Sequence, residues 1–256
     1  MKLPERNRRL KQLVELSRRI GTAPESFAIL GEGNTSTRSG EDTFWVKASG
    51  TSLSTADKKS FTECRRADLA PLWENPNRID AEVDAKLIES QVKLSDRKPS
   101  TEALFHSYLL SLPGIEWVAH THPIAVNGIL CSPRAADFAK FRMFPDEIVC
   151  GGEQSVLVPY TDPGVPLAKA IRQGVENFEK EQGRLPRMIL LQNHGLIAIG
   201  PSAGAVEATT KMAEKSAKIF LEAASLGGPV FMPEAQVLRI SGRPDELYRQ
   251  KVLKLE

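Results

Sequence analysis

Four histidines occur in the 256 residues of the chain, His106, His120, His122 and His194, and two of them are one residue apart in Trp117-Val-Ala-His-Thr-His122. On an extended strand, residues i and i+2 face the same side, so His120 and His122 would project in parallel and could share one metal ion. Imidazole suits zinc and other divalent transition metals, and a third ligand would complete an open catalytic site. Taken alone, the pair reads equally well as two packed or surface histidines. His194 follows the apolar run Met188-Ile-Leu-Leu191 and precedes Gly195, which puts it at the end of a predicted buried strand, where sites on sheets are commonly built. By itself it reads as a histidine bonded within a tight turn; together, three of the four histidines at strand ends read as a three-His metal site. Glu102 falls in the first turn of a predicted helix opening at Ser100, where the helix dipole favours a carboxylate in any case. Beside a metal it would act as a proton-transferring base. His106 lies one turn further on the same face and reads as a supporting group rather than a fourth ligand.

Two loops of small residues, Gly31-Glu-Gly-Asn-Thr-Ser36 and Ala48-Ser-Gly-Thr-Ser52, offer close backbone approach and neutral donors. Each alone is an ordinary turn, and neither matches a P-loop or dinucleotide fingerprint. With the Ser100-Thr101 helix start they could form a phosphate cradle of N–H and O–H donors.

Elements must position these groups. The apolar spacing predicts helices over about 5–20, with Leu10, Leu13, Val14 and Leu16 inward, and over 81–94, from Ser100 to Leu112, from Pro123 to Leu130, and over 165–180 and 203–225. Strands are predicted at Phe27–Leu30, Thr35–Thr37, Thr43–Lys47, Glu116–His122, Glu147–Val149, Ser155–Pro159, Met188–Gln192 and Leu196–Ile199. The interleaving lacks a regular βα alternation. That favours an α/β layered domain with a mixed or antiparallel sheet over a Rossmann or (β/α)8 fold.

Composition sets bounds on function. Lys and Arg number 34 against 32 Asp and Glu, a net charge of +2, which argues against a mainly electrostatic nucleic-acid or membrane binder. The arginines of the first twenty residues read as the solvated face of a helix. Apolar residues at 41% and charged residues at 26% are globular values rather than those of a disordered chain. Three cysteines, Cys64, Cys131 and Cys150, have no disulfide or zinc-type spacing, which fits a reducing cytosol. No signal-peptide core and no spanning apolar segment is evident, so a cytoplasmic location is expected. One domain over 1–256 is expected, with an irregular insertion at about 52–80, suggested by Pro71 and Pro76, and a C-terminal tail at about 228–256.

Gly-Glu-Gly-Asn-Thr-Ser at 31–36, Lys-Ala-Ser-Gly-Thr at 47–51, Pro-Ser-Thr-Glu at 99–102, His-Thr-His-Pro at 120–123 and Gln-Asn-His-Gly at 192–195 occur in that order. Together they resemble the class II aldolase/adducin head family, which includes the L-fuculose-1-phosphate and L-rhamnulose-1-phosphate aldolases. The resemblance implies a three-layer α/β/α sandwich around a mixed, mainly antiparallel sheet, assembled as a homotetramer. It implies Zn2+ or another divalent transition metal, one per chain, on His120, His122 and His194, with Glu102 as acid/base. Gly33, Asn34, Ser49, Gly50, Ser100 and Thr101 match phosphate-binding positions. The implied reaction is retro-aldol cleavage of a ketose 1-phosphate, a phosphorylated sugar, to dihydroxyacetone phosphate and an aldehyde through an enediolate. The same scaffold also serves decarboxylases, dehydratases and 4-epimerases, the last usually with Asp where this chain has Glu102. A non-catalytic adducin-type module, whose members commonly lose the metal ligands, is a further alternative. The family aldolases use a tyrosine, often from a neighbouring subunit's tail or loop, to protonate the leaving alkoxide. Among Tyr108, Tyr160 and Tyr248, the first reads as core and the second as a turn, so the role falls to Tyr248.

Overall fold

A computed structural model describes residues 1–74 and 80–252. In chain order the elements are α1 (Leu3–Gly21), β1 (Asn34–Arg38), β2 (Thr43–Lys47), β3 (Phe61–Arg65), α2 (Arg66–Glu74), α3 (Asp80–Glu89), α4 (Ala103–Leu109), β4 (Trp117–Thr121) and α5 (Ile124–Leu130). There follow α6 (Ala135–Lys140), α7 (Pro145–Gly151), β5 (Val156–Val158), α8 (Val165–Gln182), β6 (Met188–Leu191), β7 (Gly195–Gly200), α9 (Ala203–Ser225), α10 (Glu234–Ser241) and α11 (Pro244–Val252). The fold is α/β, with a seven-stranded mixed sheet of order β3-β2-β1-β4-β7-β6-β5. Contacts divide the chain into two compact units, Met1–His120 with Thr161–Gln173, and Thr121–Tyr160 with Gly174–Glu256.

In the first unit, α1 has Pro4 in its first turn, where it gives up no helical hydrogen bond, and its ends carry charges that suit the dipole, Glu5 first and Arg18 and Arg19 last. Leu13, Leu16 and Ile20 are fully buried, and Ser17 Oγ meets Thr35 Oγ1 of β1 at 2.6 Å. The arginine row is committed to partners: Arg6 donates to both oxygens of Glu63, and Arg9 pairs with Glu116. Antiparallel ladders join β1 to β2, β2 to β3 and β1 to β4. The last sets Asn34 opposite His120 and Ser36 opposite Val118.

In the second unit, β6 and β7 form an antiparallel hairpin and β5 runs parallel to β6. Val126, Ile129, Leu130, Phe138, Leu190, Leu196 and Phe220 bury together, bringing α5, α6 and α9 onto that hairpin. Helix α9 is capped by Ser202, which accepts from the Ala205 N–H. Its buried Glu214 in turn accepts the Ala125 and Val126 N–H groups at 3.1 and 3.3 Å, so a carboxylate satisfies the orphan donors that open α5.

Several expectations need correction. Phe27–Leu30 is not a strand: Ser26 and Leu30 have positive φ, and Phe27 and Ala28 are buried while Ile29 and Leu30 are exposed. Glu147–Val149 is helical, because Pro145, Asp146 and Glu147 start α7 and the apolar residues after them continue its turns. The predicted 81–94 helix ends at Glu89; Gln91 instead bridges Cys64, and the Val92 N–H reaches the Glu63 carbonyl. The segment expected to be irregular contains β3 and α2, with Pro71 inside the helix; Pro76 lies outside the described residues. The expected tail contains α10 and α11, both packed on α7.

Candidate metal centre

His120 is wholly buried near the end of β4, flanked on the neighbouring strand by β1, and its ring meets Phe105 edge-on at 5.7 Å. His122 follows the strand and is half-buried. His194 occupies the tight turn joining β6 to β7, where Asn193 takes φ 55° and the His194 N–H returns to the Leu191 carbonyl. Asn is one of the few residues that tolerate this left-handed conformation. Asn127 Nδ2 donates to the His194 carbonyl at 3.0 Å, and the His122 and His194 rings lie 5.2 Å apart. One ring nitrogen from each of His120, His122 and His194 lies within 4.8 Å of the other two. Three neutral nitrogen donors, partly buried, are a set that fits a divalent transition ion with positions left for other ligands.

Glu102 does not lie inside a helix that starts at Ser100. It is the N-cap of α4, and Ser100 and Thr101 form the preceding turn, with Ser100 Oγ accepting the Glu102 N–H. Its carboxylate stands 3.6 Å from His120 Nε2 and accepts from Asn34 Nδ2 at 2.5 Å. His106 is fully buried and takes no part in the histidine cluster. Its Nε2 meets Asn34 Oδ1, and its Nδ1 meets Ser36 Oγ at 2.6 Å. Burial drives its pKa well below the usual histidine value, and the nearby His120 adds to this.

The phosphate-type motifs of the first unit converge. Ala48 bridges Pro99, the Ser49 N–H donates to the Lys98 carbonyl at 2.9 Å, and the Ser100 N–H donates to the Lys47 carbonyl at 3.2 Å. Those two N–H groups are thereby spent, which leaves the Ser49 and Ser100 hydroxyls as the polar groups of these residues for an anion. Gly50 takes φ 71° at the tip of the exposed turn. Lys47 was missed as a contributor. It is buried, and its Nζ donates to the Gly31 and Thr51 carbonyls at 2.9 and 2.5 Å, tying both loops together. Burial lowers its pKa, while the Glu102 charge acts in the opposite sense. The signal was a lone lysine closing the apolar strand Phe44-Trp-Val46, where a cation must find oxygens.

Gly33 has φ 60°, and a Cβ there would sit 2.7 Å from the His120 carbonyl oxygen. A Gly33→Ala change therefore combines a left-handed backbone with a backbone clash, and denaturant unfolding should show a loss of about 1–3 kcal/mol. A variant as stable as the parent would contradict this packing.

Tyr248 is 70% exposed on α11. That helix is fastened by Arg249 to Asp146 and by Gln250 to Arg187, which precedes β6, whereas His194 follows the other end of that strand. The structure does not bring Tyr248 to the His194 end of β6 within one chain.

The chain belongs to the Class II Aldolase and Adducin N-terminal domain family, whose model matches residues 11–221. It is 30% identical over 202 residues to the uncharacterized oxidoreductase YuxG of Bacillus subtilis (strain 168), a match spanning 76% of this chain and 27% of that protein's length. It is similar to the N-terminal class II aldolase domain of a conserved protein from Thermoplasma acidophilum, with TM-score 0.64 and 28% identity over 83% of this chain and 93% of that one. A third similarity is to the L-fuculose 1-phosphate aldolase from Glaciozyma antarctica PI12, with TM-score 0.64 and 18% identity over 98% of this chain and 90% of that one. At that identity the likeness concerns the fold.

Proposed function

We infer that this chain is a metal-dependent class II aldolase, a carbon–carbon lyase that cleaves a ketose 1-phosphate to dihydroxyacetone phosphate and an aldehyde. The observation that carries the reading is the carboxylate of Glu102 3.6 Å from a histidine of the three-imidazole cluster. His120, His122 and His194 would hold zinc or a similar divalent ion, whose Lewis acidity polarises substrate oxygens. Gly33, Gly50 and Thr101 with the Ser49 and Ser100 hydroxyls would hold the phosphate by neutral donors rather than by charge, with Lys47 bracing the loops, while the Asn34 side chain is taken up by Glu102 and His106. In cleavage the C4 hydroxyl gives up its proton as the C3–C4 bond breaks, the bond's electron pair stays with C3 as the enediolate, and Glu102 delivers to C3 a proton in net exchange for the one lost from the hydroxyl. Since α11 is tied to the far end of β6, the tyrosine that the resemblance assigns to the alkoxide oxygen would be Tyr248 of a neighbouring subunit. That fits a homotetramer, the assembly implied by the family resemblance. The described cysteines are free, which is compatible with a cytoplasmic setting.

The test is a panel of L-fuculose, L-rhamnulose, ribulose and 5-deoxyribulose 1-phosphates assayed with added divalent metal. Dihydroxyacetone phosphate and aldehyde should appear together and cease on chelation. Carbon dioxide from an oxo-acid phosphate, or dehydration of a sugar phosphate, without aldol cleavage would replace the aldolase reading.

A further inference from the structure

We propose that His106 is a positioning residue: the chain Ser36–His106–Asn34 orients the carboxylate of Glu102 and holds it ready to exchange a proton. As a carboxylate, Glu102 offers only acceptors. The Asn34 atom facing Oε2 must therefore be its NH2 group, as the 2.5 Å contact from Nδ2 requires. Asn34 Oδ1 then faces His106 Nε2, and an amide oxygen can only accept, so Nε2 carries the proton. A fully buried neutral imidazole has its other nitrogen bare, and Nδ1 accepts the Ser36 hydroxyl at 2.6 Å. Every donor in the series points toward the carboxylate. Aligned hydrogen bonds polarise one another, and in a buried setting each one left unmade is costly.

The series is held by buried regular elements. Ser36 and Asn34 are alternate residues of β1, sharing one face, and His106 lies one turn after Glu102 on α4, stacked on Phe105 at 4.7 Å. Asn34 is moreover registered opposite His120 across the β1–β4 ladder. The asparagine side chain, matched by family resemblance to phosphate binding, is here committed to the carboxylate and the buried histidine. Reversing the His106 tautomer would turn the amide over and set its oxygen against Glu102, a repulsion between two acceptors.

The proposal rests on the assignment of Glu102 as proton carrier, and two measurements separate its failure from the failure of that assignment. The first needs no substrate. Nitrogen-15 NMR of the full chain labelled at histidine, with zinc and without, should find His106 neutral with the proton on Nε2. A proton on Nδ1, or an imidazolium, overturns the chain. The second compares His106→Leu with His106→Gln, whose amide can donate to Asn34. At equal metal content, kcat of the Leu variant should fall roughly tenfold or more with KM within about threefold, and the Gln variant should recover most of the loss. An unchanged kcat in the Leu variant, or equal losses in both, overturns the positioning role. If the wild type cleaves no sugar phosphate, the aldolase reading fails while the tautomer still decides the hydrogen-bond chain.

Discussion

His120→Ala should yield a folded protein that purifies with little of the wild type's divalent metal and turns over on the order of 10³-fold more slowly. Among the three histidines of the cluster His120 alone is wholly buried, so its ring is fixed by packing rather than by choice of rotamer. Phe105 stands edge-on to it, and the ladder to β1 holds the backbone beneath it. Its loss leaves His122, half-buried beyond the strand, and His194, in a turn. Two imidazoles on such supports coordinate weakly, since affinity depends on ligand number and on how firmly each is oriented. Deleting a buried ring also leaves a cavity, costing about 2–4 kcal/mol, so thermal unfolding must show the variant folded at assay temperature. Elemental analysis of wild type and variant side by side is decisive. Full metal content in the variant would remove His120 from the ligand set, and a wild type that is fully active without metal would remove the site altogether.

The histidine cluster was legible because its parts obey local rules. A period of two on a strand fixes the relation of His120 to His122, and Asn-His-Gly after four apolar residues announces a turn at a strand end. Nothing local, however, says that Asn34 will face His120, since that depends on the register of β1 against β4. The link from His106 to Asn34 was hidden for the same reason, being a pairing across seventy-two residues. Glu102 was read as a first-turn carboxylate, yet the N-cap falls on Glu102 itself, two residues after Ser100, because the Ser100 N–H is given to the Lys47 carbonyl and its Oγ accepts the Glu102 N–H. The strand wrongly expected at Glu147–Val149 shows the other limit. An Ile-Val-Cys run is apolar in either element, and the Pro-Asp-Glu before it was the stronger instruction. Tyr248 was chosen by elimination among three tyrosines; elimination carries no geometry, and α11 turned out to be bound at the end of β6 opposite His194.

Glu102→Gln should keep its metal and its stability while kcat falls roughly 10²- to 10⁴-fold. The substitution preserves shape, and a glutamine oxygen can take the place of Oε2 as acceptor of the Asn34 NH2 group. The amide nitrogen then turns toward His120, where a carboxylate oxygen stood 3.6 Å from Nε2. What is lost is the charge and the ability to gain and release a proton, so a defect confined to turnover isolates that role. The three imidazoles remain, which is why metal content separates this variant from His120→Ala. A second readout avoids cleavage entirely: the enzyme should exchange a C3 hydrogen of dihydroxyacetone phosphate with solvent deuterium, a step that needs the base and no aldehyde. Exchange and cleavage should fall together in the Gln variant. If exchange persists at the wild-type rate while cleavage fails, another group carries the C3 proton and Glu102 acts elsewhere in the reaction. If neither falls by more than about threefold, Glu102 is not the base, because transfer by a positioned side chain is worth far more than that.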